Sequence, residues 1–227
     1  RYITNAPEAG IFTVMARTDL GNKRAGGISA FIVEKNTPGV SLGQIDKKMG
    51  QKGAHTCDVI FDNVRVPAAN LVGGVEGKGF AQLMGELPYE RLLIGVPAAA
   101  AIELALELTV AYTQERKAFG QAVSDFQNTR FKLAEVATTA HLVRGFINDA
   151  IQRLIDGTLD DTAAYMAKWW CTEQQCKVVD ECLQLFGGYG FMSEYPIARL
   201  YTDARVQRIY GGTNEVMKDL IARKIFS

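Results

Sequence analysis

The sequence is poor in the residues that staple a fold or hold a metal. Its 227 residues include four cysteines and two histidines. Cys57, Cys171, Cys176 and Cys182 form no C-x-x-C pair, and the last three fall in one helical stretch. That pattern suggests neither a zinc site nor a disulfide framework, and no metal is expected. Reduced, buried thiols in an intracellular protein are the simplest reading. Net charge is also missing: 25 Lys+Arg face 25 Asp+Glu. Such a balance sets up no field to hold a polyphosphate, so generic nucleic-acid binding is not expected. No apolar run reaches the ~20 residues that cross a bilayer. The richest stretch, Leu92 to Leu108, is interrupted by Pro97, Glu103 and Glu107, so no membrane span is expected. The chain starts at Arg1 rather than Met and shows no signal or transit peptide. A processed chain, or a piece of something longer, is the expectation. An apolar content of 48% excludes intrinsic disorder.

What is present changes character near residue 75. Before it, short β-rich runs alternate with turn residues: Tyr2-Ile3-Thr4, Ile11 to Met15, Ala30 to Val33 and Cys57 to Val66. In the last run Cys57, Val59 and Phe61 alternate with Asp58 and Asp62, the period of two of a half-buried strand. Gly21-Asn22, Gly26-Gly27, Pro38-Gly39 and Gly73-Gly74 punctuate these runs. The expected product is a small antiparallel β region, too little to close its own edges. Beyond residue 75 helical periodicity takes over. Gly77 to Arg116 is long and Ala/Leu-rich, with Pro88 and Pro97 expected to start or kink helices. Asp125 to Asp156, closed by Gly157, is the second helix, and Asp160 to Phe186, stopped by Gly187-Gly188, the third. The last runs from about Pro196 to Phe226 and is interrupted at Gly211-Gly212. The fold class read from this pattern is α+β: a partial antiparallel β domain over 1–75, then an antiparallel four-helix bundle over 76–227.

Four features could carry chemistry. Glu90, beside Tyr89 and Arg91, follows Pro88 and precedes the apolar Leu92-Leu93-Ile94. Most helical glutamates are solvated surface residues. On an apolar wall, however, a carboxylate rises toward the pKa of a general base. Glu115-Arg116-Lys117-Ala118-Phe119-Gly120, with Phe126-Gln127 beyond, reads first as a capped, cationic helix end. Arg116 would equally suit phosphate oxygens. Gln184 to Gly190 packs three glycines into four residues, allowing close approach of a backbone or a flat ligand. It follows a helix, not a strand, so it is no Rossmann fingerprint. Finally, Ile209-Tyr210-Gly211-Gly212-Thr213-Asn214-Glu215 leads two glycines into a new helix, whose free N–H groups suit an anion or a carbonyl.

In this order and spacing, the four features resemble one family, the flavin-dependent acyl-CoA dehydrogenases. The likeness covers essentially the whole chain; the family's N-terminal helical domain and the first part of its β domain have no counterpart in it. The resemblance implies a carboxylate that removes the proton α to an acyl-CoA thioester while the β-hydride passes to N5 of FAD. The product is the trans-2-enoyl-CoA, and the electrons leave to electron-transfer flavoprotein. Many family members carry the base at the position of Gly211, which has no side chain here; a minority, the long-chain and isovaleryl types, carry it at the position of Glu90. Glu90 is therefore the expected base, and the wording of the motifs is closer to the long-chain type. The backbone at Gly211 and Gly212 would bind the thioester carbonyl, and Tyr89 and Arg91 would flank the substrate. Ile3 and Thr4 would contact the flavin from a strand end. Arg116 would reach the FAD pyrophosphate of a neighbouring subunit, and Gln127 with Gln184, Leu185, Phe186, Gly187 and Gly188 would line the adenosine end. Thr213, Asn214 and Glu215 would approach the cofactor from the last helix. Sites shared across subunits imply a homo-oligomer, a dimer of dimers. The resemblance fits bacterial cytoplasm, or alternatively a mitochondrial matrix. Two other readings stay open: a non-catalytic assembly fragment that binds FAD poorly by itself, and an acyl-CoA oxidase-like enzyme that reacts with oxygen.

Overall fold

The computed structural model describes residues 1–226. The chain folds as two compact units, Arg1–Leu87 and Pro88 onward.

The first unit holds six short strands: β1 (Ile3–Thr4), β2 (Ile11–Arg17), β3 (Ile28–Glu34), β4 (Val40–Leu42), β5 (Thr56–Cys57) and β6 (Val59–Phe61). They pair antiparallel as β1 with β5, β2 with β3 and β4 with β6. In the longest ladder Phe12 faces Val33 and Val14 faces Phe31. Ala6, Phe12 and Cys57 form the small core, with Val14, Val40, Leu42 and Val59 packed on it. Every pair is two-stranded, so each leaves unpaired ladder groups at its edges. The run Cys57 to Val66 is less regular than its alternation suggests. The strand breaks at Asp58 and ends at Phe61, where the side chain is already exposed. Gly79 then starts a helix against β3: a Cβ there would lie 2.5 Å from the Ala30 nitrogen, a contact only glycine permits.

The helices are α1 (Gly79–Glu115), α2 (Gln127–Ile155), α3 (Asp161–Phe186), α4 (Pro196–Ala204) and α5 (Asn214–Ile225); the hairpin β7 (Lys117–Ala118) and β8 (Gln121–Ala122) joins α1 to α2. Sequence signals set most boundaries. The Asp160 carboxylate accepts from the Ala163 N–H at the start of α3, and Gly157 (φ 66°) ends the turn after α2. Pro88 and Pro97, expected to start or kink helices, both lie inside the 37 residues of α1. Packing overrides their propensity: Leu92, Ala98, Ala99 and Ile102, on both sides of Pro97, are buried in one core. The final helix, expected as one interrupted element, is two, separated by a 3-10 turn (Arg205–Arg208) and the glycine pair.

The α1 side chains share this core with Val143 and Ile147 of α2, Cys171 and Val179 of α3, and Ile197 of α4. Gly95 allows close packing: a Cβ would meet Ile147 Cδ1 at 3.0 Å and the Ala167 carbonyl at 3.1 Å. Lys132, near the start of α2, donates to Glu181, near the end of α3, at 3.0 Å, so these helices run antiparallel. By length and composition α1 could cross a membrane, against the sequence expectation, because its glutamates are spaced widely enough to leave an apolar window. Only part of that apolar window fills the bundle core: Leu92, Ala98, Ala99 and Ile102 are buried there, whereas Leu93 and Leu104 are exposed. Tyr165, Met217 and Ile221, with Trp169 and Leu220, form a second cluster that docks α5 on α3.

Candidate active site

Glu90 lies on the exposed stripe of α1, with Tyr89 and Leu93 beside it. It has no hydrogen-bond or ion-pair partner among the described residues. The apolar wall expected from Leu92-Leu93-Ile94 does not enclose it: Leu92 points into the core while Leu93 is half exposed. Ile94, four residues on and so on the same face, connects the carboxylate to the glycine turn. Gly211 has φ +64°, and a Cβ there would collide with Ile94 Cδ1. Gly212 has φ +93°, and its Cβ would sit 2.8 Å from Met217 Cε and 3.9 Å from Arg91 Nη2. Two consecutive left-handed residues with no room for a side chain explain the glycine pair. The turn thus rests against α1 one helical turn from Glu90.

Behind this surface the bundle is unusually polar. Arg91 is 6% exposed, and its guanidinium lies over the Tyr165 ring at 4.7 Å. Its Nε and Nη1 have no hydrogen-bond partner. A buried cation with unused donors is costly in a core, and the aromatic face of Tyr165 offsets part of that cost. Burial raises the Tyr165 phenol, and Arg91 partly opposes the rise. Thr213 caps α5, accepting from the Val216 N–H at 3.3 Å. Glu215, in the first turn, is exposed and held below the ordinary carboxylate value, chiefly by its own backbone N–H. Asn214 turns inward instead. It is 1% exposed, accepts from Lys168 Nζ at 2.9 Å, and donates toward Thr172 Oγ1 and the Trp169 carbonyl. Its side-chain hydrogen bonds are made inside the bundle.

A cavity of about 610 Å³ opens where α1 and α3 end. Arg116, Gln184, Leu185, Phe186, Gly187 and Gly188 line it, together with Tyr112 and Tyr189. Tyr112 stacks on Phe186 at 4.1 Å, and its hydroxyl donates to the Phe186 carbonyl at 3.1 Å. The Arg116 guanidinium rests over Tyr189 at 5.3 Å and keeps its exposed donors free for an anion. Beside it, Cβ atoms built on Gly187 and Gly188 would meet nothing within 4 Å, so the backbone there is bare. A cationic fork, aromatic faces and an open backbone suit a phosphorylated, flat ligand. Residues 1–64 match the family profile "Acyl-CoA dehydrogenase, middle domain", and residues 77–226 match "Acyl-CoA dehydrogenase, C-terminal domain". The chain belongs to the acyl-CoA dehydrogenase family.

Among its relatives, the mitochondrial long-chain specific acyl-CoA dehydrogenase of Rattus norvegicus is 46% identical over 227 residues, covering 100% of this chain and 53% of that protein. An acyl-CoA dehydrogenase from Geobacillus kaustophilus superposes with a TM-score of 0.96 at 44% identity, covering 99% of this chain and 59% of the other. A chain in the solved structure of the electron transferring flavoprotein of Acidaminococcus fermentans gives a TM-score of 0.93 at 37% identity, covering 99% and 58%. The chain spans about half the length of the curated relatives it matches.

Against this family background, the expected residues fall into three groups. Arg91 reaches the Gly211-Gly212 turn, which Thr213 and Glu215 follow in sequence, while Tyr89 and Glu90 precede Arg91 on the exposed stripe of α1. Arg116 and Gln184 to Gly188 share the cavity, whereas Gln127, exposed at the first residue of α2, is not among its lining residues. Ile3 and Thr4 form β1 in the first unit, paired with Cys57 and Thr56. Sequence reasoning missed Lys168, whose only signal is a lysine within the apolar run Ala163 to Trp170. It also gave no role to Phe119, 98% exposed at φ +51° in the β7–β8 turn, where a bulky residue is strained.

Proposed function

We propose that this chain supplies the base, the carbonyl-binding turn and part of the cofactor site of an FAD-dependent dehydrogenase that converts acyl-CoA thioesters to trans-2-enoyl-CoA. The observation that carries the reading is the seat of Gly211 against Ile94, one helical turn from Glu90. The turn then packs on the helix that carries the carboxylate, with no competing side chain at position 211, which supports a backbone donor and a carboxylate acting on one substrate. The Glu90 carboxylate takes the proton from Cα of the substrate. N–H groups of the Gly211-Gly212 turn stabilise the charge that develops on the thioester oxygen, aided by the positive end of α5. Arg91, with two unused donors, adds positive potential from behind the turn. FAD, when bound, accepts the β-hydride and passes two electrons onward. Arg116 would hold its phosphates, and Gln184 to Gly188 its adenosine end. An exposed carboxylate is a weak base in water, so substrate and the remaining walls of the complete site must desolvate Glu90.

The 46% identity to a long-chain enzyme supports long-chain acyl substrates, and electron-transfer flavoprotein is the proposed acceptor. Apolar residues left uncovered on the bundle, among them Leu142, Trp170 and Ile225, support a homo-oligomer, and a dimer of dimers is the proposed assembly. The test is an acyl-CoA chain-length series on the full-length protein, with electron-transfer flavoprotein reduction and oxygen uptake measured side by side. The expected result is turnover that peaks with long chains and reduces the flavoprotein with little oxygen uptake. No acyl-CoA-dependent flavin reduction at any length would contradict the assignment, and dominant oxygen uptake would replace the acceptor.

A further inference from the structure

Lys168 is a rare residue for a bundle interior. It sits on α3 with no exposed surface. Among the described residues no carboxylate bonds it, and its ammonium donates to Asn214 Oδ1 at 2.9 Å. Asn214 is the first residue of α5 and stands two positions after Gly212. Its amide is anchored further on α3, donating to Thr172 Oγ1 at 3.2 Å and to Glu173 Oε2 at 3.4 Å, while Glu173 pairs with Arg208 at 2.9 Å. The start of α5 is thus tied to α3 through the Asn214 side chain, and the glycine turn immediately precedes that tie. Two adjacent glycines with positive φ have no side chains of their own to hold them.

We propose that Lys168 is a positioning residue for the reaction: through Asn214 its ammonium fixes the origin of α5 and holds the backbone donors of Gly211-Gly212 in line with the thioester carbonyl. The proposal rests on the reading of that turn as the carbonyl site. A polar residue would be replaced at little cost by a hydrophobic one if packing were its whole task, because an unpaired buried cation is expensive. The cation also adds to the positive end of the α5 dipole, which strengthens the pull on a developing oxyanion. The charged groups facing it are Glu215 on α5, which favours its charge, and Arg91 on α1 and Arg208 before the turn, which oppose it. Burial is the largest influence and brings its pKa down to about 8. The ammonium therefore loses its proton within an accessible pH range.

The test reads the carbonyl directly. Full-length, flavin-loaded protein is mixed with trans-2-enoyl-CoA carrying ¹³C at the thioester carbon, and infrared difference spectra give the lowering of the carbonyl stretch on binding. In wild type at pH 7 a clear lowering is expected; in Lys168→Met it shrinks toward the value of free ligand although flavin content is retained. A wild-type lowering unchanged in Lys168→Met overturns the proposal. If Lys168→Met yields no flavin-loaded protein, the wild-type protein decides: a lowering that fades from pH 7 to 9.5 with a midpoint near 8 supports the role, and a flat profile overturns it. No lowering in wild type at any pH would show that the turn is not the carbonyl site, and would remove the proposal together with that reading.

Discussion

At the scale of residues, the site is governed by what cannot be added. Gly211 combines a left-handed backbone with a neighbour, Ile94 Cδ1, that occupies the place of a side chain. Any L-residue there pays the left-handed penalty of roughly 1–2 kcal/mol, and must also displace Ile94. Gly211→Glu should therefore lower the thermal midpoint, by a loss of about 1–3 kcal/mol. Ile94→Ala in the same chain should recover the part due to the collision, leaving the backbone part. Equal midpoints for Gly211→Glu and wild type would show that the turn is looser than its geometry implies. Arg91 carries the opposite message. Its guanidinium lies over the Tyr165 ring, while its Nε and Nη1 have no hydrogen-bond partner among the described residues.

At the scale of elements, α1 is held to α2 by a paired ion as well as by the core. Arg144 donates through Nε to Glu103 Oε1 at 2.6 Å, and its second arm bonds the other oxygen. The guanidinium holds the Glu103 carboxyl below its ordinary value, with burial opposing. A depressed carboxylate contributes stability above its unfolded pKa and loses it as pH falls through the folded value. The side chains are 43% and 33% exposed, so solvent screens the pair. Glu103→Gln should cost about 1 kcal/mol at pH 7, and the variant should converge with wild type in acid, once the pH falls through the depressed value of Glu103. Thermal melts over that pH range check it, and a deficit that persists in acid would point to packing instead of charge. The helices were legible where local chemistry decides: Asp160 and Gly157 mark ends by groups that are visible in sequence. They were not legible where tertiary packing wins, as at Pro88 and Pro97 inside α1 or at the premature end of the Cys57 strand. The glycine turn was legible because two glycines in a row announce a backbone constraint. Lys168 was not, since one lysine in an apolar run looks the same whether it snorkels outward or lies buried against Asn214.

At the scale of the molecule, a β unit with open-edged strand pairs and a helical unit with uncovered apolar residues both leave surface to be completed. The helical unit nevertheless contains, by itself, the carboxylate, the turn and the Arg116 cavity. Family membership fits this division: one family profile covers 1–64 and the other 77–226. The chemistry proposed for it depends on one carboxylate doing what a side chain at Gly211 cannot. The most direct measurement is single-turnover flavin reduction by a long-chain acyl-CoA in full-length Glu90→Gln protein. The account predicts wild-type flavin content and thermal midpoint, with reduction slowed by roughly 10³-fold or more. Reduction within about tenfold of the wild-type rate, a loss too small for a missing base, would contradict it.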